Sequence, residues 1–167
     1  MTGKRLAPWS VEKRTLELDA HPRLRVWRHE VLLPDGQRVE DFWRVEVPDY
    51  AMIAVETVDG RFILERHYRH GVEDITLSLP AGAIEPGEEP LAAAKRELME
   101  ETGHEADSWR SLGAFVLGAN GRFCQAHLFH ATGARQVAEP RSGDLEETEL
   151  LYVSRDEAVS ALRDGRL

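Results

Sequence analysis

The stretch from Gly82 to His104 reads GAIEPGEEPLAAAKRELMEETGH, and it decides the reading of the chain because it crowds carboxylates onto one short helix. The spacing predicts that helix over residues 89–102. At about 100° per residue, Leu91, Ala94, Leu98 and Thr102 form a stripe able to face a core, while Glu97, Glu100 and Glu101 share another face. Like charges three and four residues apart each cost about 0.2–0.5 kcal/mol in an isolated helix. A divalent cation reverses that sign, since carboxylate oxygens completed by water and phosphate oxygens suit Mg²⁺. A merely solvated acidic face is the plain alternative. The flanks weigh against it. Leu79-Pro80-Ala81-Gly82 and Gly87-Glu88 permit a tight approach loop, Pro90 suits the first helical turn, and Gly103 suits a left-handed cap.

The stretch resembles the signature of the Nudix hydrolases, with Gly82, Glu88, Arg96, Glu97, Leu98, Glu100, Glu101 and Gly103 at the matching positions. His104 departs from it, standing where the family carries an apolar residue, and this bears on packing after the helix rather than on chemistry. The resemblance implies an α+β fold, the Nudix-type α/β/α sandwich. It also implies hydrolysis of a nucleoside diphosphate linked to another moiety, with Mg²⁺ or Mn²⁺ and water attacking phosphorus. Position by position, it implies Glu97 and Glu101 as the main metal ligands, Glu100 close to the metal and in the catalytic set, and the Ala81 carbonyl as a further ligand. Arg96, also counted in the catalytic set, would pair with Glu88 or another carboxylate to hold the acidic face. Gly82, Glu88 and Gly103 would be structural. The general base in such enzymes sits on a later loop, which points to the acidic segment 144–149, with Glu146 first and Glu147 second.

Composition fits a compact enzyme. The 167 residues suit one domain with a small extension, and the net charge of −9 argues against a sequence-independent grip on nucleic acid or an anionic membrane. Cys124 is the only cysteine, so no intrachain disulfide forms; a reducing, cytoplasmic setting is expected, with Cys124 packed rather than nucleophilic. No apolar run long enough to cross a membrane occurs, and MTGKRLAPWS lacks a signal-peptide core.

Ahead of the signature, Ser10–Leu18 and Arg23–Leu33 alternate at a period near two, Pro34-Asp35-Gly36 turns the chain, and Val39–Val47 returns. This predicts a small antiparallel β extension over residues 1–47, followed by the main domain over 48–167, with Pro48-Asp49 at the boundary. Trp27, Phe42 and Trp43 make the extension rich in aromatics, for packing or for stacking on a nucleobase. Strands are expected at Tyr50–Thr57, Arg61–Arg69, Ile75–Leu79, Trp109–Leu117, Gln125–Ala131 and Glu149–Val153. A helix is expected at Arg155–Arg163, capped by Ser154. Asp59-Gly60 marks a hairpin.

The extra N-terminal strands, His67-Tyr68-Arg69 and the late acidic loop resemble the ADP-ribose and nucleoside-diphosphate-sugar pyrophosphatase branch. That likeness implies a homodimer formed through the N-terminal sheet and substrate contacts at Trp27, Trp43 and Arg69. The chain carries Ala119-Asn120-Gly121 where those enzymes have a proline. Two rivals share the signature: hydrolases of oxidised nucleoside triphosphates or dinucleoside polyphosphates, and a catalytically silent ligand sensor.

Overall fold

The period-two segments at the N-terminus pair with one another into a sheet. This computed structural model describes residues 6–143, 145 and 147–167. β1 (Ser10–Ala20), β2 (Leu24–Leu32) and β3 (Arg38–Glu46) form an antiparallel sheet in that order. Trp27 lies opposite Arg44 and Trp43 opposite Arg28. Because successive side chains alternate, the two tryptophans point to opposite faces of this sheet. Trp43 is 53% exposed, whereas the Trp27 indole N–H donates to Glu46 Oε2 at 3.0 Å. Trp9 meets Phe42 edge to face, with ring centroids 5.9 Å apart.

These strands form a compact unit up to Pro48 that also takes in Val116–Gln125. The sequence offered no local sign of that addition. The link is long-range: Arg44 Nε donates to the Gly121 carbonyl at 3.0 Å and the Val47 amide to the Phe123 carbonyl at 2.9 Å. The segment Ala119-Asn120-Gly121 thus belongs to a tight turn held by Arg44. Cys124 is buried, as a packed residue should be.

The second unit comprises Asp49–Phe115 and Ala126–Leu167. The elements after β3 are β4 (Tyr50–Thr57), β5 (Phe62–Arg69), β6 (Asp74–Ser78), β7 (Ala81–Ala83), α1 (Pro90–Thr102), β8 (His104–Glu105), β9 (Ser108–Leu117), β10 (Cys124–Gln136), β11 (Thr148–Val153) and α2 (Arg155–Arg163), of which the last two residues of β9 and the first two of β10 are counted with the first unit. The sheet runs β11-β5-β4-β10-β8, with β6 on β5, β7 on β4 and β9 on β10. β4 and β10 are parallel, while β5 is antiparallel to β4, β6 and β11. Asp59-Gly60 closes the β4–β5 hairpin, Gly60 taking φ 77° and the Thr57 amide donating to Arg61 O at 2.8 Å.

One face of the sheet, through Ile53, Val55, Ile63, Phe129 and Ala131, packs with Ala93, Ala94 and Leu98 of α1. The expected stripe needs a correction: Leu91 is 39% exposed, and Ala93 is buried in its stead. Leu91 points in the stripe's direction but belongs to the first turn, whereas small alanines let the middle of the helix approach the sheet. Leu64, next to Ile63 and therefore facing the other way, lines a space of about 230 Å³ with Leu77, Leu151, Val153 and Ala161 of α2. The helices therefore cover opposite faces of a mixed sheet, which is an α+β sandwich. α2 begins with a capping box: Ser154 Oγ accepts from the Glu157 amide at 3.3 Å and Glu157 Oε2 accepts from the Ser154 amide at 2.8 Å. Among the described residues no helix is long and apolar enough to cross a membrane.

Candidate active site

The acidic face is built by β7 and α1 together. β7 pairs with β4 through Ala81 opposite Met52 and Gly82 opposite Ala51, and the Ile53 amide donates to Pro80 O at 2.9 Å. This fixes the backbone of residues 80–82 against the core. α1 then starts at Pro90, where the missing N–H costs nothing, and stops at Gly103, whose φ of 69° needs no Cβ. The Gly103 amide donates to Met99 O at 2.9 Å. A side chain at Gly103 would also run into the Ala138 carbonyl.

Between these two elements the carboxylates converge. Glu97 lies directly over Gly82, so closely that any Cβ there would fall inside its carboxylate. Glu101, one turn on, accepts a hydrogen bond from the Ala81 amide on Oε2 at 2.8 Å. Two glutamates of one helix thus meet two adjacent residues of one short strand. Glu97 is only 12% exposed and Glu100 44%, so Glu100 is the outermost of the helix carboxylates joined to Arg96.

Arg96 ties this face together. Its Nε and one Nη bind the two oxygens of Glu88, each at 3.0 Å, a bidentate fork across eight residues of sequence. Its other Nη reaches Glu97 Oε1 at 2.6 Å and Glu100 Oε2 at 3.1 Å, while the Nη that binds Glu88 also donates to the Ala83 carbonyl at 2.9 Å. Glu88 also accepts from the Glu85 amide at 3.0 Å. The guanidinium, and next that amide, hold the Glu88 carboxyl below the usual carboxylate range. In return Glu88 first, then Glu97 and Glu100, push the Arg96 pKa up. The expected Arg96–Glu88 pair is present. Its extension to Glu97, Glu100 and Ala83 adds a positive charge at the centre of the acidic face, offsetting the like-charge repulsion.

The donors fit a hard divalent cation through chemistry rather than as a finished cage. Among the described residues no three acidic, histidine or cysteine side chains come together tightly enough to enclose an ion. Mg²⁺ rarely uses all-protein cages, and takes one or two carboxylates with water and substrate phosphates instead. Glu97 and Glu101 at the Ala81-Gly82 strand, with a glycine cradle that a methyl group would fill, suit that mode.

Other expected site residues are placed as follows. Arg69, at the end of β5 opposite Asp74, is exposed. Glu147 is exposed before β11, and Glu146, the first choice for general base, lies outside the described residues. Trp27 and Trp43 lie in the first unit, on opposite sheet faces. His104 is buried, its Nδ1 2.7 Å from the Thr102 carbonyl, which makes Nδ1 the protonated nitrogen. Its ring packs against Tyr152 at 5.9 Å between centroids, so the departure from an apolar residue is absorbed by one hydrogen bond and one aromatic contact.

Two features escaped the sequence. The Arg141 amide donates to the Glu100 carbonyl at 2.7 Å, tying the end of the acidic helix to the segment leading to residues 144–147. His67 is buried, with Nε2 3.1 Å from Ser78 Oγ. A histidine at an inward position of a strand was the one available sign of the second.

The fold and site together define an α+β sandwich in which one helix and one short strand gather glutamates around a single arginine. The family model described as NUDIX domain matches residues 47–166, and the chain belongs to that family as a Nudix pyrophosphohydrolase. A methanol dehydrogenase activator of Bacillus methanolicus is 30% identical over 139 residues, 83% of this chain and 75% of that protein. An ADP-ribose pyrophosphatase of Bacillus subtilis is 28% identical over 154 residues, 90% of this chain and 83% of that protein. A crystal structure of an ADP compounds hydrolase superposes with a TM-score of 0.83 at 22% identity, covering 96% of this chain and 86% of that one, a likeness of fold.

Proposed function

We propose that this protein hydrolyses the pyrophosphate bond of a nucleoside diphosphate linked to a sugar, with ADP-ribose the leading substrate, giving AMP and ribose 5-phosphate. The observation that carries the reading is the convergence of Glu97 and Glu101 on Ala81-Gly82 under the Arg96 lock. The ADP-ribose pyrophosphatases among the relatives support the substrate class. A Mg²⁺ or Mn²⁺ ion would be held by Glu97 and Glu101, with Glu100 and the Ala81 carbonyl close by; it would shield the phosphate charge and acidify the attacking water.

This chain's own residues do the rest. Arg96 holds the carboxylates apart and oriented. Glu146, or failing that Glu147, takes the proton as the water oxygen bonds to one phosphorus, the bridging P–O bond breaks, and its electrons leave on the other phosphate. Arg69 supplies a cation for phosphate. Trp27 or Trp43 supplies a ring for the base; since they face opposite ways, one base meets only one of them within a single copy of this sheet. The exposed apolar side chains of the N-terminal sheet, Leu18 and Trp43 among them, suit pairing of two copies, and sedimentation should give twice the monomer mass.

The test is a panel of ADP-ribose, other nucleotide sugars, dinucleoside polyphosphates and nucleoside triphosphates with Mg²⁺ or Mn²⁺. Glu97→Gln and Glu101→Gln stand beside the wild type, and Glu146→Gln and Glu147→Gln follow. Cleavage of nucleotide sugars lost in the first pair supports the reading. Turnover of triphosphates alone replaces it, and wild-type kcat in both of the second pair moves the base elsewhere.

A further inference from the structure

We propose that His67 is a positioning residue for this active site, acting through Ser78 on the strap of chain that carries Ala81 and Gly82. The inference rests on the proposed metal role of Glu97 and Glu101 and adds a residue outside the signature.

The argument begins with topology. β6 ends at Ser78, and among the described residues β5 is its sole strand partner. An edge strand has backbone bonds on one side alone, so its end is held less firmly than a central strand. Yet this end leads within four residues to Gly82, where the placement tolerance is small, because Glu97 lies where a Cβ would be. Pro80 in between is fully buried, and its carbonyl accepts from the Ile53 amide at 2.9 Å. The strap from Ser78 to Gly82 therefore has a fixed middle and a far end in contact with both carboxylates. Its near end is fastened by His67.

His67 suits that fastening. It stands on β5 opposite Thr76, diagonal to Ser78, and is buried. Its Nε2 lies 3.1 Å from Ser78 Oγ, and Nδ1 is 3.5 Å from Thr148 Oγ1 on β11. Both ring nitrogens thus address hydroxyls on the two strands flanking β5. A buried polar ring held by hydrogen bonds is rigid, and breaking one bond leaves its partner unsatisfied. Ser78 sets how the strap enters the Pro80–Gly82 segment that β4 holds, and through it the setting of the Ala81 amide that orients Glu101 and of the glycine beneath Glu97.

The test measures Mn²⁺ binding by electron paramagnetic resonance, independent of turnover, for His67→Phe, His67→Gln, Ser78→Ala and the His67→Phe/Ser78→Ala double variant. Outer-shell partners of metal ligands typically change affinity by about 10- to 100-fold, and the lower end is expected here. His67→Phe and Ser78→Ala should each weaken Mn²⁺ about 10-fold, the double variant should be no worse than either, and His67→Gln, which keeps a hydrogen-bonding group, should recover most of the loss. In turnover, kcat at saturating metal should fall less than the apparent metal affinity. If His67→Phe fails to fold, Ser78→Ala carries the test. Wild-type Mn²⁺ affinity in Ser78→Ala, or additive losses in the double variant, overturns the proposal while leaving the metal site intact. A wild type whose Mn²⁺ binding survives Glu97→Gln overturns the metal reading, and this inference with it.

Discussion

Replacing Gly82 by alanine separates the fold from the chemistry. Gly82 lies in β7 with an ordinary negative φ, so alanine strains no backbone there. The added methyl group nonetheless falls well inside 3.0 Å of the Glu97 carboxylate. What must move is the far end of a flexible side chain, which can rotate away cheaply. The folding cost then includes the 2.6 Å contact with Arg96 that Glu97 gives up, worth about 1.5–3 kcal/mol for a charged pair. Arg96 keeps Glu88, Glu100 and Ala83, which pulls the loss toward the lower figure. Activity has no such refuge. Displacing a group by about 1 Å can cost roughly 10²-fold in rate, and here the displaced group is the proposed metal ligand itself. Gly82→Ala should therefore melt within several degrees of wild type while losing at least that factor in metal-dependent kcat/KM, read by a thermal melt beside a hydrolysis assay with metal titration. An alanine variant with wild-type activity and metal requirement would show that Glu97 does not work from the position seen over Gly82.

Gly103→Ala should behave oppositely. A left-handed φ costs alanine about 1–2 kcal/mol, and the clash is with the Ala138 backbone carbonyl, which cannot swing aside, adding about 1–3 kcal/mol. A fall in Tm of at least about 5 °C is expected, and an unchanged Tm would contradict the cap. Glu88 supplies a pH signature. Its folded pKa is depressed, so its contribution is complete above the unfolded value of about 4.3 and disappears as pH falls through the lower folded value. Urea titrations of wild type and Glu88→Gln should differ by a constant amount near neutrality and converge below about pH 4; a gap that persists in acid would refute the Arg96–Glu88 lock.

How much of this the sequence disclosed depended on how local each feature is. α1 and its two ends were legible because Pro90, the glutamate face and Gly103 act within one helix. The matched signature showed that Arg96 would pair with a carboxylate, with Glu88 or another as partner, and the structure gives Glu88, with Glu97 and Glu100 beside it. β7 and β8 were not, since strands of three and two residues are too short to show a period. β10 runs on to Gln136 past the expected end at Ala131, because Gly133, at φ 71°, forms an irregularity in the β4 pairing instead of ending the strand. The grouping of 116–125 with the N-terminal strands depends on Arg44 reaching Gly121 across 77 residues, which no local pattern records. His67 failed to stand out for a similar reason: its role depends on what faces it across β6 and β11.

The most direct test of the central claim is to incubate the wild-type protein with ADP-ribose and follow the products by ³¹P NMR, with and without Mg²⁺. The account predicts equal amounts of AMP and ribose 5-phosphate appearing only with the metal, and neither from Glu97→Gln. ADP-ribose left intact under those conditions, or cleaved equally well by Glu97→Gln, would contradict it.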